Sequence, residues 1–295
     1  MPAKIIDGKL AAANLRAELK ANIAELKAQT GQVPGLAVIL VGDDPASQSY
    51  VTAKEKACAE IGILSIDNRL PADTSQDQLL DLIRRLNGRP DVHGILAQLP
   101  LPRHLDESLV CRTISADKDV DCFHPVNVGK LMLGEAGFLP CTPHGILQML
   151  KRSGVKVAGA HAVVVGRSNI VGKPVACLLM QKSELGNATV TLCHTRTKDL
   201  ASFTRQADIL IVASGHPKTV TADMVKPGAV VIDVGVNRVE DASAPKGYRL
   251  VGDVDFDGVK DVASIITPVP GGVGPMTITM LLYNTLESAQ ESHAI

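Results

Sequence analysis

The sequence predicts an α/β protein with two doubly wound parallel sheets. Its 295 residues are enough for two domains of roughly 150 residues each. Apolar segments of strand length alternate with segments whose apolar residues recur at helical spacing, which is typical of βαβ units. Some strand segments, such as GLAVILVG at 35–42, are apolar throughout, as expected for a parallel strand that helices cover on both faces.

The first half of the chain has the order β-α-β-α-β after an opening helix from Asp7 to Thr30. The predicted strands and helices are, in order, strand 35–42, helix 46–61, strand 63–70, a helix capped by Thr74-x-x-Asp77, and strand 93–99. Consecutive strands joined through helices pair in parallel, so their carboxyl ends meet at one edge of a sheet.

A second α/β cycle follows a helix that opens at Thr142-Pro143. Its predicted elements are strand 161–166, helix 172–182, strand 188–193, helix 198–206, strand 208–214, strand 229–235, a polar surface loop at 237–250, a short helix at 255–262 and a last helix at 277–292. We detect no internal repeat beyond these two cycles.

The composition excludes several functional classes. Thirty Lys and Arg against 31 Asp and Glu argue against electrostatic nucleic-acid binding, and the absence of Trp argues against a base-stacking surface. Six cysteines without a C-x-x-C pair are typical of reduced thiols in a cytoplasmic protein, and the scattered histidines predict no metal site. Residues 262–286 carry no charge over a length that could span a bilayer, but their Pro and Gly residues favour a buried loop followed by a helix.

A glycine-bounded turn, Gly166 to Gly172, follows one apolar strand and opens a helix. A dinucleotide pyrophosphate binds at this kind of turn, although a plain βα turn has the same pattern. The next strand ends in Cys193-His194-Thr195-Arg196, without the acid that holds the ribose of NAD. Because Arg167 and Arg196 can instead hold a ribose phosphate, the sequence favours NADP over NAD.

A second group of polar residues lies in the first half, where Ser47, Tyr50, Lys54 and Cys58 share one face of a helix. The strand at 93–99 brings Gln98 to the same sheet edge as the start of that helix. Each residue taken singly also fits a structural role. The acidic loop 117–121 and the Gly- and Pro-rich loop 267–277 likewise fit either a site or a solvated turn.

Taken together, these segments resemble the bifunctional methylenetetrahydrofolate dehydrogenase/cyclohydrolases. The resemblance rests on VGDDPASQSYVTAKEKACAEIGI (41–63), DVHGILAQLPLP (91–102), DKDVDCFHPVNVG (117–129), PCTPHGI (140–146), VVVGRSNIVGKP (163–174) and ITPVPGGVGPMT (266–277). It implies two α/β domains around a cleft. One is a folate-binding catalytic domain of residues 1–121, completed by the helix 277–295, and the other is a Rossmann-like NADP-binding domain of residues 122–276.

The resemblance also implies the chemistry and its residues. Members oxidise 5,10-methylenetetrahydrofolate with NADP and then hydrolyse the methenyl product to 10-formyltetrahydrofolate in the same site. Tyr50 is expected to stack on the folate, Lys54 to be the key catalytic residue, Gln98 to support Lys54, and Asp121 to bind the pterin. Folate-pocket positions also include Leu99, Pro270 and Gly271, and cofactor-contact positions are Gly166, Arg167, Ser168, Thr195 and Val236, to which the charge argument adds Arg196.

Three positions depart from the family pattern. Cys122 stands where the family commonly has Gly, so it would be strained if its φ were positive. His144 replaces a commonly basic Arg or Lys, and Thr52 replaces a commonly long residue. We expect these changes to affect affinity more than activity.

Charge constrains the role of Lys54. Hydride loss leaves a cation on the folate, and a protonated amine about 4 Å away would oppose it by roughly 4 kcal/mol at an effective dielectric of 20. Lys54 is therefore either neutral, with a pKa near 7 rather than the usual value of about 10.4, or held off by Gln98 and balanced by Asp121. A neutral amine can also take a proton from the water that attacks the methenyl carbon.

The sequence thus predicts a cytoplasmic NADP-dependent dehydrogenase with cyclohydrolase activity. A small-molecule folate is its expected substrate, with no nucleic-acid or membrane partner, and family likeness suggests a homodimer built on the cofactor domain. The alternatives are a dehydrogenase without the second activity, a folate- or nucleotide-binding protein that has lost catalysis, and another Rossmann reductase with a non-folate substrate.

Overall fold

A computed structural model describes residues 2–244 and 247–293 as a mixed α/β protein. Its helices are α1 Gly8–Thr30, α2 Pro45–Ile61, α3 Gln76–Asn87, α4 Glu107–Thr113, α5 Pro125–Leu133, α6 Cys141–Arg152, α7 Gly172–Met180, α8 Leu200–Thr204, α9 Phe256–Val259 and α10 Val273–His293, with a 3₁₀ turn at Ala222–Met224. Its strands are β1 Lys4–Ile5, β2 Gly35–Val41, β3 Leu64–Leu70, β4 Gly94–Ala97, β5 His161–Val165, β6 Thr189–Cys193, β7 Ile209–Val212, β8 Val230–Asp233, β9 Asn237–Glu240, β10 Tyr248–Val251 and β11 Ile265–Ile266.

The chain divides into two compact units. The first unit contains residues 13–141 and the chain from Ile278 onward, and the second contains the chain up to Ala12 and residues 142–277. These limits differ from the sequence-based domains, 1–121 with 277–295 and 122–276, at Thr277 and in two longer segments. The start of the chain joins the second unit because β1 pairs with β11, and residues 122–141 join the first.

The first unit is built on a parallel sheet of strand order β3-β2-β4. Strand β2 is fully buried, as its continuous apolar sequence predicts, and it packs with the apolar face of α3 around Ile39, Leu79 and Ile83. The register pairs Ile39 with Ala97, so β2 and β4 end at the same edge of the sheet. The start of α2 and the residues after β4 therefore lie at that edge.

The second unit contains a parallel sheet of strand order β1-β11-β8-β7-β5-β6. Strand β5 lies between β6 and β7, so the strand order reverses there, which is the usual place for a ligand in a doubly wound sheet. Val163, Leu210 and Val231 from three of the strands are fully buried in the core of this unit. The predicted α/β architecture with parallel sheets is confirmed.

Three local predictions were wrong. Residues 237–250 were expected to form a loop, but they include β9 and most of β10, an antiparallel pair whose sequences NRVE and YRLV lack a clear apolar–polar alternation. The capping box of α3 uses Ser75 and Gln78 instead of Thr74 and Asp77. The last helix begins at Val273, four residues before the predicted start at 277, although Gly and Pro residues occupy its first turn.

The structure also bears on the uncharged stretch 262–286. Within the described part of the chain, no helix is long and apolar enough to cross a membrane. The stretch instead forms β11, a loop and most of α10, as the favoured interpretation predicted.

Candidate active site

Helix α2 carries the polar face predicted in the first unit. The side chain of Asp44 caps the helix by accepting a hydrogen bond from the Ser47 amide over 2.8 Å, and Pro45 supplies the first turn. Lys54 is buried, with 8% of its surface exposed, whereas Tyr50, one turn earlier, is 44% exposed. The lysine is therefore desolvated, while the ring is left available to stack on a ligand.

Lys54 and Gln98 meet as the sheet geometry predicts. Nζ of Lys54 donates a hydrogen bond to Oε1 of Gln98 over 2.9 Å. The amide Nε2 of Gln98 in turn donates to the carbonyl of Leu99 over 2.8 Å, and the Gln98 backbone amide donates to Ile39 in β2. The side-chain amide is thus fixed at both ends, with its oxygen presented to the amine of Lys54.

The Asp121 carboxyl belongs to the same group of residues, but burial has the larger effect on the pKa of Lys54. Burial lowers the pKa of Lys54 from its usual range, and the Asp121 charge partly opposes this shift. Burial likewise raises the pKa of Asp121, while the charge of Lys54 and the neighbouring Cys141 thiol act in the opposite direction. Burial thus shifts both pKa values toward the neutral forms, which is the direction that the first of the two alternatives, a neutral Lys54, requires.

Two further residues that hold this region were not predicted from the sequence. Asn284 of α10 is fully buried, and its Nδ2 donates to the carbonyls of Val120 and Leu139 over 2.7 and 2.8 Å. The Cys141 thiol lies between these segments and donates to the Val120 carbonyl over 3.3 Å. The polar residues within the apolar stretch of α10 were the available signal, because a buried amide needs partners.

In the second unit, the turn after β5 is the candidate phosphate-binding loop. Gly166 has φ +123°, and a Cβ at this position would overlap the carbonyl of Ala213 at the end of β7. Ser168 Oγ accepts hydrogen bonds from the amides of Val171 and Gly172 over 3.1 and 3.3 Å, which closes the turn against the start of α7. The turn therefore presents its backbone and the positive end of a helix at the carboxyl edge of the sheet.

The two candidate phosphate-binding arginines lie at that same edge. Val165 pairs with Cys193 in the sheet, so Arg167 and Arg196 follow the ends of two neighbouring strands. Both arginines are exposed, and neither is ion-paired with any residue that the structure describes. Thr195 is also exposed, and Val236, after β8, is 47% exposed. The residues present fit a dinucleotide that carries an additional phosphate.

Pro270 and Gly271 lie in the second unit, in the loop before α10. Gly271 has φ +103°, which a side chain at this position would not readily adopt. The structure thus brings Lys54, Gln98, Leu99 and Asp121 together within the first unit, and it gathers the cofactor-contact positions in the second.

The three residues that depart from the family pattern, Cys122, His144 and Thr52, lie in different surroundings. Cys122 has φ +62°, so the expected strain at this buried residue is present, and its thiol donates to the Phe138 carbonyl over 3.0 Å. His144 is buried, and this burial lowers its pKa to about 4, so it does not replace a basic residue as a positive charge at neutral pH. Thr52 is half-buried on α2.

Comparison with known proteins decides the family. Residues 6–121 match the model of the tetrahydrofolate dehydrogenase/cyclohydrolase catalytic domain, and residues 140–293 match that of the NAD(P)-binding domain of the same enzymes. The chain belongs to the tetrahydrofolate dehydrogenase/cyclohydrolase family. Methylenetetrahydrofolate dehydrogenase and cyclohydrolase activities in folate one-carbon metabolism, expected from the resemblance, are thereby confirmed.

Individual members of this family are similar to the chain over nearly its whole length. A bifunctional protein FolD from Exiguobacterium sibiricum is 61% identical over 288 residues, which cover 98% of this chain and 100% of the relative. The crystal structure of the bifunctional FolD from Campylobacter jejuni matches with a TM-score of 0.92 and 51% identity, covering 98% of this chain and 99% of that one. The Trypanosoma brucei enzyme, crystallised with NADP cofactor and inhibitor, matches with a TM-score of 0.95 and 42% identity over 100% of both chains.

Proposed function

We propose that this enzyme oxidises 5,10-methylenetetrahydrofolate to the methenyl form and hydrolyses the product to 10-formyltetrahydrofolate with one shared lysine, Lys54. The observation that carries the proposal is the buried amine of Lys54, which donates to Gln98 over 2.9 Å. Tyr50, exposed one turn away on the same helix, is assigned to stacking on the folate, and Asp121 to binding the pterin.

In the hydrolytic step, the neutral amine of Lys54 acts as a general base. As the water oxygen bonds to the methenyl carbon, one water proton passes to Nζ. The protonated Nζ then gives this proton to N5 as the bond between that carbon and N5 breaks. The remaining hydroxyl proton leaves for solvent as the formyl C=O forms. The Gln98 side chain orients Nζ throughout, because its own amide is held by the Leu99 carbonyl.

In the redox step, the residues of the first unit bind and orient the folate without adding positive charge beside it. Bound NADP supplies the hydride acceptor. The lowered pKa of Lys54 matters here as well, since a neutral amine does not repel the cation that develops on the folate. Leu99, Pro270 and Gly271 are assigned to the folate pocket from the family resemblance.

In the second unit, we assign NADP to the turn at Gly166 and Ser168, with Thr195 and Val236 as further contacts. Arg167 and Arg196 are assigned to the ribose phosphate, because their guanidinium groups are exposed and unpaired with the acids that the structure describes. This assignment predicts a preference for NADP over NAD. Equal catalytic efficiency with the two cofactors would count against it.

The proposed function is tested with purified protein, methylenetetrahydrofolate and NADP. Formation of reduced cofactor demonstrates the first reaction, and decay of methenyl absorbance above the spontaneous rate demonstrates the second. Reduced cofactor without faster decay would leave a dehydrogenase that lacks the hydrolytic step. Folate binding without either reaction would leave a binding protein.

We further propose that the enzyme is a cytoplasmic homodimer built on its second unit. The apolar strand segment AVVIDVG at 229–235 and its neighbours are the candidates for the interface. Strand β8 within that segment is buried between β11 and β7, whereas β1 and β6 lie at the two sheet edges. We assign the contact to β6, because it has five residues and β1 has two. Light scattering should then give a mass near twice the 31.1 kDa of the chain, and a monomer mass would reject the assignment.

A further inference from the structure

Two buried aspartates in the second unit have no part in the mechanism derived above. Asp233 ends β8 and is 3% exposed, and Asp253 follows β10 and is 0% exposed. Within the described residues, neither carboxylate forms an ion pair with a lysine, arginine or histidine. Burying an unpaired carboxylate is costly, so hydrogen bonds must compensate for the lost water.

Asp253 holds the segment that follows β7. Its Oδ2 accepts hydrogen bonds from the backbone amides of Ser214 and Gly215 over 2.6 and 2.8 Å. Its Oδ1 accepts from Nδ2 of Asn237 over 2.8 Å. One carboxylate thus joins the end of β7 to the start of β9, two segments more than 20 residues apart in the sequence.

Asp233 holds Asp253 itself. Its carboxylate accepts hydrogen bonds from the amides of Gly235, Asp253 and Val254 over 3.1, 2.9 and 3.0 Å. Burial raises the pKa of Asp233 to about 7, with the charge of Asp253 adding to the effect. The close packing leaves no space beside the pair, because a Cβ at Gly235 would overlap Oδ1 of Asp253.

The segments that Asp253 holds adjoin the positions assigned to the cofactor. Ala213 directly precedes Ser214, and its carbonyl packs against Gly166 of the glycine turn. On the other side, Val236 lies between Gly235 and Asn237, each of which is bonded to one of the two aspartates. Displacing the Asp253 carboxylate would therefore release the backbone on both sides of the assigned NADP contacts.

We propose that Asp253, itself held by Asp233, is a positioning residue for NADP that sets the segments after β7 and β8 in the geometry that binds the cofactor. The inference rests on the proposed function, because it takes the second unit as the NADP-binding one. Asp253 does not act on the substrate or on the reacting atoms. Its effect is confined to cofactor affinity.

The test compares NADP binding with hydrolysis, because hydrolysis of methenyltetrahydrofolate consumes no cofactor. Asp253→Ala removes the acceptor of three N–H groups, and calorimetry should show NADP binding weakened about tenfold or more. The rate of hydrolysis, measured without NADP, should stay within about twofold of the wild type. Asp255→Asn is the matched control, because Asp255 is on the same segment but pairs with Lys218 over 3.0 Å.

The possible results distinguish failure of the positioning role of Asp253 from failure of the proposed function. Failure of the wild-type protein to bind NADP would overturn the proposed function. Normal NADP affinity in folded Asp253→Ala protein, or parallel loss of binding and hydrolysis, would overturn the positioning role. If Asp253→Ala does not fold, Asp253→Asn decides between the same results, since it keeps the side-chain shape and one acceptor oxygen.

Discussion

Nζ of Lys54 and Oε1 of Gln98 form a hydrogen bond of 2.9 Å between residues 44 positions apart in the sequence. The contact forms because β2 and β4 are neighbours in a parallel sheet, so that α2 and the residues after β4 start from one edge. The bond gives the buried amine a fixed direction and an acceptor that carries no charge. A general base that must also tolerate a nearby cation requires both properties.

Replacing the lysine should affect the two reactions unequally. In Lys54→Met, we expect hydrolysis to fall about a hundredfold or more, because the general base is removed. Hydride transfer should fall less, since the folate and the cofactor keep their other contacts. Lys56→Met is the matched control, because Lys56 is exposed on the same helix and should leave both rates unchanged. Equal losses of the two activities would reject this division of labour.

The hydrolytic rate should depend on pH through the lysine. Burial lowers the pKa of Lys54, and the amine acts as a base when it is neutral, so hydrolysis should rise with pH through that pKa and then level. Gln98→Glu places a negative charge beside Nζ and raises the pKa of Lys54, which should move the rise to higher pH. Steady-state rates of both proteins across pH test this, and a profile that does not move would contradict the role of Lys54.

Cofactor choice should depend on the exposed arginine after β6. In Arg196→Ser, we expect kcat/KM for NADP to fall about 10- to 100-fold, as for loss of a charge-assisted hydrogen bond, with little change for NAD. Arg205→Ser serves as the control, since Arg205 pairs with Asp223 over 3.7 Å in the same unit. An unchanged ratio of the two efficiencies would remove Arg196 from the phosphate site.

The left-handed backbone at Cys122 predicts an inverted order of stability. At an ordinary position Gly is less stable than Ala, but Cys122 has φ +62°. Cys122→Gly should therefore be more stable than Cys122→Ala by about 1 kcal/mol, although both lose the buried thiol. Urea denaturation of the two variants measures the difference. A lower midpoint for the glycine variant would show that the strain is relieved elsewhere.

The regular helices and strands could be predicted where the pattern of apolar residues in the sequence matches their burial in the fold. Strand β2 is apolar along its whole length and is buried along its whole length. The pair β9 and β10 was missed because β9 has only one apolar residue and the segment between the strands contains Pro and Gly, which is also typical of a loop. The early start of α10 was missed because Gly and Pro are weak helix signals on their own.

The candidate site also contains contacts that could be predicted from the sequence and contacts that could not. The meeting of Lys54 and Gln98 follows from helix periodicity and strand order, both of which the sequence contains. The contributions of Asn284 and Cys141 depend on where α10 packs, which the spacing of residues does not determine. The amide contacts of Asp253 were hidden for a similar reason, because an Asp after a short strand is also typical of a solvated turn.

A crystal structure of the enzyme with a bound folate analogue would test the central claim most directly. We predict that Nζ of Lys54 lies within about 3.5 Å of the one-carbon bridge, or one water molecule away, while it keeps its bond to Gln98. An analogue bound with its bridge far from Lys54, and with the amine still buried against Gln98, would contradict the assignment of the lysine to the chemistry.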